Sequence, residues 1–273
     1  MMLPMILAQI SDPHLRADGG LLRNHVDSMA AMKASVKHVN GLRPLPDVTV
    51  VTGDLVNEAG DYPALRKLLD QLETPCFVIP GNHDFPDALR AAFCDLGYLP
   101  EKGCLNYVIE DYPLRIVALD TSVPGEVWGA MSPKRLRWLN ERLSEQPARP
   151  TVILMHHPPV DTGISYMDRQ GLLQGAGAMA EIVSAHPQVQ RILCGHVHRP
   201  ATIGWAGTVV STAPSVSFQM LLDLRQESQS GYVMEPAACA LYYWSPKSGL
   251  AGHLSFIGDY GPPRAFKENS EKT

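Results

Sequence analysis

The chain has 273 residues, 45% of them hydrophobic and 19% charged, with a formal net charge of −5. That is the profile of an ordinary soluble globular protein, long enough for one large domain or one domain with a small appendage. The acidic balance argues against a nucleic-acid-binding surface, which needs a basic stripe to release counterions from phosphates, although bound metals can make a single pocket positive.

In chain order, Met1–Gln9 has no basic leader, and its apolar run ends at Gln9, Ser11 and Asp12. It therefore does not read as a signal peptide. Met5–Ile10 instead opens a series of short apolar runs continued by Val48–Thr52, Cys76–Ile79, Arg115–Leu119, Thr151–Met155, Arg191–Cys194 and Thr208–Ser211. Their near-continuous Val, Ile and Leu content predicts strands covered on both faces. Helices are predicted between them. Leu65, Leu68, Leu69 and Leu72 fall at i, i+3, i+4 and i+7, and so do Leu89, Ala92, Phe93 and Leu96. Ser132 is a plausible N-cap with Pro133 at the first helical position, followed by Leu136, Leu139 and Leu143. A further helix is expected over Gly175–Ala185.

After about Gly204 the pattern weakens. Ser211–Gly231 mixes turn and apolar residues, Cys239–Trp244 is an aromatic strand candidate, and the tail from Gly261 is expected to fray. The expected organisation is a core over 1–210, with 211–273 completing the sheet and forming a cap or subunit contacts. No apolar stretch reaches the roughly 18–20 residues needed to span a bilayer. The five cysteines, Cys76, Cys94, Cys104, Cys194 and Cys239, are odd in number and without close pairing. They read as buried small hydrophobes in a protein of the reducing cytoplasm.

Five polar clusters sit at the C-terminal ends of predicted strands: Asp12-Pro13-His14, Gly53-Asp54, Gly81-Asn82-His83-Asp84, His156-His157 and Gly195-His196-Val197-His198. Ligands of open α/β sheets bind outside those ends. Asp12 and His14 alternate by two, as do His196 and His198, so extended backbone would aim each pair to one side. Carboxylate, imidazole and amide donors together suit Zn, Mn, Fe or Co better than Ca, which prefers oxygen alone. With so few anionic donors, two divalent cations would leave the pocket positive and attractive to a phosphate.

These five blocks, in this order over roughly the first 200 residues, resemble those of the calcineurin-like metallophosphoesterases. The longer strings Gly53-Asp54-Leu55-Val56-Asn57, Ile79-Pro80-Gly81-Asn82-His83-Asp84 and Met155-His156-His157-Pro158-Pro159 look most like bacterial class III cyclic-nucleotide phosphodiesterases and glycerophosphodiesterases. The resemblance implies a four-layer α/β/β/α sandwich with the metal site at the strand ends. It further implies that Asp12, His14, Asp54 and His198 hold one metal and that Asp54, Asn82, His156 and His196 hold the second, with Asp54 bridging. His83 would contact the phosphate or the leaving oxygen. Asp84 is expected to orient a ligand imidazole, and His157 is left between a structural and a supporting role. Pro13 keeps its predecessor extended, which the alternating arrangement already requires. A homo-oligomer, dimer or higher, is also implied.

The function expected is hydrolysis of small phosphodiesters, either 3′,5′-cyclic nucleotides or glycerophosphodiesters, by a hydroxide that paired cations generate near neutral pH. A nuclease acting on duplex nucleic acid is disfavoured because no Lys/Arg run flanks the motifs. A phosphomonoesterase is the nearer alternative, and a binding scaffold that has lost chemistry should lack a ligand, which this chain does not. His25, His38, His186 and His253 read as packing or surface residues, and so do the four tryptophans. Val160–Gly171 and Thr212–Tyr232 are the expected crevice-rim segments that carry specificity.

Overall fold

The computed structural model describes residues 3–227 and 229–264. β1 (Met5–Ile10) is followed by α1 (Ser28–Gly41), β2 (Val48–Thr52), α2 (Tyr62–Leu69), β3 (Cys76–Ile79) and α3 (Pro86–Ala92). Next come β4 (Tyr107–Ile109), β5 (Arg115–Ala118), β6 (Gly129–Ala130), α4 (Pro133–Glu145), β7 (Thr151–Met155) and the single turn α5 (Ser165–Asp168). β8 (Leu172–Gln174), α6 (Ala176–Ser184), β9 (Val189–Cys194), β10 (Ala201–Trp205) and β11 (Thr208–Thr212) continue the alternation. Four strands close it: β12 (Gln219–Met220), β13 (Tyr232–Val233), β14 (Ala238–Ser245) and β15 (Gly249–Phe256).

Two large sheets result, in the orders β15-β14-β1-β2-β3 and β10-β11-β9-β7-β5-β4. In the first, β1, β2 and β3 run parallel, and β14 lies antiparallel beside β1 with Met5 opposite Trp244. In the second, β5, β7, β9 and β11 are parallel, with β4 and β10 antiparallel at the edges.

Because strand side chains alternate between faces, each sheet offers two apolar surfaces, and three cores follow. Ala8, Ile10 and Val51 pack under Met32 and Val36 of α1, Leu65 of α2 and Leu89 of α3. Leu7 and Val50 meet Ile116, Val152 and Leu193 between the sheets. Val117, Ile153 and Ile192 pack under Leu139 and Leu143 of α4 and Met179 of α6. Three cores between four layers make the expected α/β/β/α sandwich, and each fully buried Leu or Ile contributes roughly 1.5–3 kcal/mol relative to exposure.

The predicted strands all form, with ends shifted by a residue or two. β4, β10, β15 and all of α1 had no clear sequence signal. In α1 the buried face Met32-Ser35-Val36-Val39 is broken by a serine, which is satisfied by bonding the Ala31 carbonyl at 2.8 Å. α2 stops at Leu69 rather than Leu72, and α3 stops at Ala92, where Phe93 leaves the helix and a 3₁₀ turn carries Cys94–Leu96 to Gly97. The α4 cap forms as predicted, with Ser132 accepting from the Arg135 N–H. The cysteine expectation holds only in part: Cys194 and Cys239 are buried, but Cys94 is exposed and Cys76 and Cys104 are half-buried, because the latter three flank sheet edges and loops rather than strand centres. From residue 265 the tail lies outside the described residues. No helix among the described residues is long and apolar enough to cross a membrane.

Candidate metal centre

β1, β2 and β3 of one sheet and β7 and β9 of the other end at one rim. The five predicted clusters meet there. Asp12, Asp54, His156, His196 and His198 are almost wholly buried, His14 is 7% exposed, Asn82 is half-buried and His83 is exposed.

The route by which the backbone achieves this differs from the sequence reading. Asp12 and His14 are not extended: their φ angles are 51° and 44°, and Asp54, His196 and His198 stand at 49°, 69° and 53°. Five of the seven predicted ligands thus occupy the left-handed region, which costs a non-glycine residue about 1–2 kcal/mol. The strands end before these residues, and each chain must turn sharply to aim a side chain back across the rim. Cross-loop bonds hold the turns. The Asp12 N–H donates to the Gly53 carbonyl at 3.3 Å, and the His14 N–H donates to the Asp54 carbonyl at 2.9 Å. Ser215 and Ser217 donate to the carbonyls of Asp12 and Pro13 at 2.8 and 2.6 Å. Two glycines make room: a Cβ at Gly81 would overlap the Asp54 carboxylate, and one at Gly53 would overlap the His156 ring.

The donor atoms converge on two points. Around one, His14 Nε2 lies 3.1 Å from His198 Nε2 and 3.5 Å from Asp54 Oδ2, while His198 Nε2 lies 3.4 Å from Asp12 Oδ1. Around the other, Asn82 Oδ1 is 3.1 Å from both His156 Nε2 and His196 Nδ1, and His156 Nε2 is 3.3 Å from Asp54 Oδ1. Asp54 faces both points, one oxygen to each. Ligands at 2.0–2.2 Å from a common cation stand roughly 3.0–3.5 Å from one another, and these separations match.

Hydrogen bonding also fixes the ring tautomers. His156 Nδ1 donates to the Thr52 carbonyl at 2.9 Å, and His198 Nδ1 donates to the Phe218 carbonyl at 3.0 Å. Each ring therefore turns the lone pair of Nε2 inward. On the His156 side that lone pair meets only acceptors, the Asn82 amide oxygen and the Asp54 carboxylate. A positive charge must sit among those acceptors, either a proton on Nε2 or a metal ion, and the mixed imidazole, carboxylate and amide donors at this spacing fit a metal that displaces the proton.

The electrostatics follow from burial and from two carboxylates. Burial holds His14 well below the usual imidazole range and lowers His196 to about 3, keeping both rings neutral as ligation requires. Burial would also lower His156, but Asp54 and Asp12 outweigh it and raise that ring to about 9. Burial would raise Asp54, yet His156, His14 and His83 hold it well below the carboxylate range.

His83 stands over the first point, its ring 5.0 Å from that of His14 and its main-chain N–H donating to Asp54 Oδ1 at 2.9 Å. Asp84 does not take the expected place behind an imidazole. It accepts from the N–H groups of Gly81 and Leu55 at 2.7 and 3.1 Å and from the Tyr62 hydroxyl at 2.8 Å, tying the loops after β2 and β3 together. Main-chain carbonyls have that orienting role instead. His157 is fully buried, with Nδ1 2.8 Å from the Thr121 hydroxyl, and its ring lies 4.7 Å from that of His196. Its ring nitrogens group with those of His156 and His196, beside the set Asp12, His14, Asp54 and His198.

Phe218 escaped the sequence reading. Its carbonyl orients His198, and its ring packs 4.6 Å from that of His198 and 5.7 Å from that of His14. The two predicted rim segments do reach the site. Ile164 and Met167 pack on Val197, between the two histidines of that loop, and Met220 joins them.

Known proteins resemble this chain over most of its length. A "probable glycerophosphodiester phosphodiesterase" of Arcobacter nitrofigilis is 38% identical over 270 residues, covering 98% of this chain and 99% of the relative. A 3′,5′-cyclic adenosine monophosphate phosphodiesterase of Escherichia coli is 31% identical over 215 residues, covering 78% of this chain and 76% of the relative. Among solved structures, a dimetal phosphatase of Danio rerio superimposes with a TM-score of 0.60 at 14% identity, covering 93% of this chain and 99% of that one, a likeness of fold alone. Residues 5–200, which include every cluster above, match the calcineurin-like phosphoesterase family model, and the chain belongs to that family.

Proposed function

We propose that the chain hydrolyses small phosphodiesters at a two-metal centre. Asp12, His14, Asp54 and His198 would hold one cation, and Asp54, Asn82, His156 and His196 the other. The observation that carries this reading is the pair of donor clusters whose lone pairs point inward at ligand spacing, joined by one carboxylate that faces both. When bound, two divalent cations supply a hydroxide nucleophile near neutral pH and neutralise charge on the phosphate. The residues of the chain supply the rest. Asp54 sets the spacing of the two points, and the Thr52 and Phe218 carbonyls keep the imidazoles in the ligating tautomer. Exposed His83, hydrogen-bonded through its main chain to Asp54, offers its ring to a phosphate oxygen or to the leaving alcohol.

Glycerophosphodiesters are the preferred substrates in this reading. The relative that carries that name matches 98% of the chain, β14 and β15 included, whereas the cyclic-nucleotide enzyme matches 78%. We also infer a cytoplasmic homo-oligomer. Leu221, Leu222, Leu224 and Met234, exposed on the segment between β12 and β14, support subunit contacts by the C-terminal segment.

A panel on protein reconstituted with Mn, Zn, Fe or Co tests the reading: bis(p-nitrophenyl) phosphate, the matching monoester, cyclic AMP and glycerophosphoethanolamine. The expected order puts glycerophosphoethanolamine first among natural substrates and the monoester last. Monoester turnover far above that of every diester would overturn it.

A further inference from the structure

Rim arginines around this centre differ in one respect. Arg16 is paired with Asp18 at 2.7 Å, Arg199 with Glu235 at 2.8 Å and Arg225 with Asp223 at 2.6 Å. Arg23 has no carboxylate partner among the described residues. Its guanidinium instead lies over two aromatic rings, 5.7 Å from the centroid of Phe218 and 5.8 Å from that of Tyr232. The two rings meet edge to face at 5.5 Å, so the cation rests in the angle between them.

The position of this cation is built into the fold. Phe218 is the ring that packs on His14 and His198, which places the guanidinium one ring out from the metal centre. Arg23 and Asn24 both have left-handed φ angles, 48° and 62°, at the tip of a short turn closed by Leu22 and Val26, whose main chains bond each other in both directions at 2.9 Å. Leu22 and Val26 are themselves buried against Phe218. The turn, anchored by its two buried ends on Phe218, thus places the arginine over the ring. A guanidinium lying on aromatic faces still presents its edge N–H groups, and that planar fork matches the two oxygens of a carboxylate or phosphate.

We propose that Arg23 is a specificity-determining residue, binding a second anionic group carried by one alcohol of the diester while the scissile phosphate lies at the metal centre. This rests on the phosphodiesterase reading and narrows its substrate class to diesters whose headgroup ends in a carboxylate or a second phosphate. The acidity of the chain makes the feature selective, because a diester bearing extra negative charge would otherwise be repelled outside the metal pocket.

Glycerophosphoserine and glycerophosphoethanolamine differ by one carboxylate and form a matched pair. Metal-loaded protein should favour the serine diester by about tenfold in kcat/KM, the worth of a modest charged hydrogen bond, with the difference in KM rather than kcat. A glycerophosphodiester ending in phosphate, glycerophosphoinositol phosphate, separates the two anion sources: stronger preference for it assigns the site to phosphate, and weaker preference to carboxylate. In Arg23→Ala at equal metal content the ratio should fall to near one. Arg23→Lys, which keeps the charge but loses the fork, should retain part of it. A ratio unchanged in Arg23→Ala, or a loss shared equally by both diesters, would overturn the proposal and leave the diesterase reading standing. If no diester, bis(p-nitrophenyl) phosphate included, is cleaved by loaded protein, the diesterase reading itself fails and this inference with it.

Discussion

The two halves of the metal centre use the same donor chemistry and are supported differently. Around His156 and His196, support comes from the sheets. The Thr52 carbonyl that orients His156 belongs to β2, and fully buried His157 walls the pocket from the end of β7. Around His14 and His198, support comes from the irregular stretch after β11, where Phe218 supplies both the orienting carbonyl and the covering ring. One half is therefore tied to strand pairing, whereas the other rests on a buried segment held by side-chain bonds such as those of Ser215 and Ser217 to the Asp12 and Pro13 carbonyls.

Asp54 belongs to both halves, so its removal should erase the contrast. Asp54→Ala is expected to lower turnover by about 10³-fold or more and to leave less than one ion per chain in metal analysis. Full occupancy of two ions in that variant would refute the bridging role. His83 belongs to neither metal point. His83→Ala should retain the parent's metal content and lose about 10²-fold in kcat, the lower range for a proton-transferring or oxygen-contacting group. A drop in bound metal would instead make His83 a ligand.

Phe218→Ala sharpens the comparison directly. Removing a ring that is 4% exposed should cost about 3 kcal/mol of stability. Losing the cover of His14 and His198 should weaken one of the two metal sites by about 10–100-fold while the other keeps its affinity. Stepwise titration would then show one tight and one weakened ion. Equal weakening of both would mean that the halves are not separately supported.

The same division explains what could be read from the sequence. The parallel strands are legible because burial on both faces forces unbroken Val and Ile runs, and their ends are legible because Asp, Asn and His directly after such a run have few reasons to be there except a site. The left-handed turns at Asp12, His14, Asp54, His196 and His198 were not legible. Residue types carry almost no signal for them, and the cross-loop bonds that impose them join residues such as Asp12 and Gly53 that are far apart in the chain. Asp84 was misplaced for a related reason: its carboxylate answers a main-chain need, the N–H groups of Gly81 and Leu55, which no spacing rule encodes. Phe218 and Arg23 were missed because each acts through a ring or a carbonyl supplied by tertiary contact. α1 was missed because Ser35 interrupts its apolar face.

Proton linkage offers the mildest way to probe the sheet-supported half. Its His156 is raised to about 9, since Asp54 and Asp12 more than reverse the lowering that burial would cause. A ligating imidazole must be neutral, so below pH 9 a cation has to displace a proton from this ring. His14 and His196 add no such cost, because burial already keeps them neutral. Apparent affinity of metal-free protein should therefore fall about tenfold per pH unit from pH 9 to pH 7, with close to one proton released per chain when binding is followed in buffers of different ionisation heat. The stability of the metal-free protein should move oppositely. A pKa raised on folding contributes fully below the unfolded value near 6.5, and that contribution is lost as the pH climbs through 9. The unfolding midpoint of stripped protein should thus decline between these limits, and the loaded protein should lack this decline because the ring is already deprotonated. Metal affinity that stays flat from pH 9 to 7 would mean that His156 is neutral before any ion arrives, and that the charge of Asp54 is balanced elsewhere in the pocket.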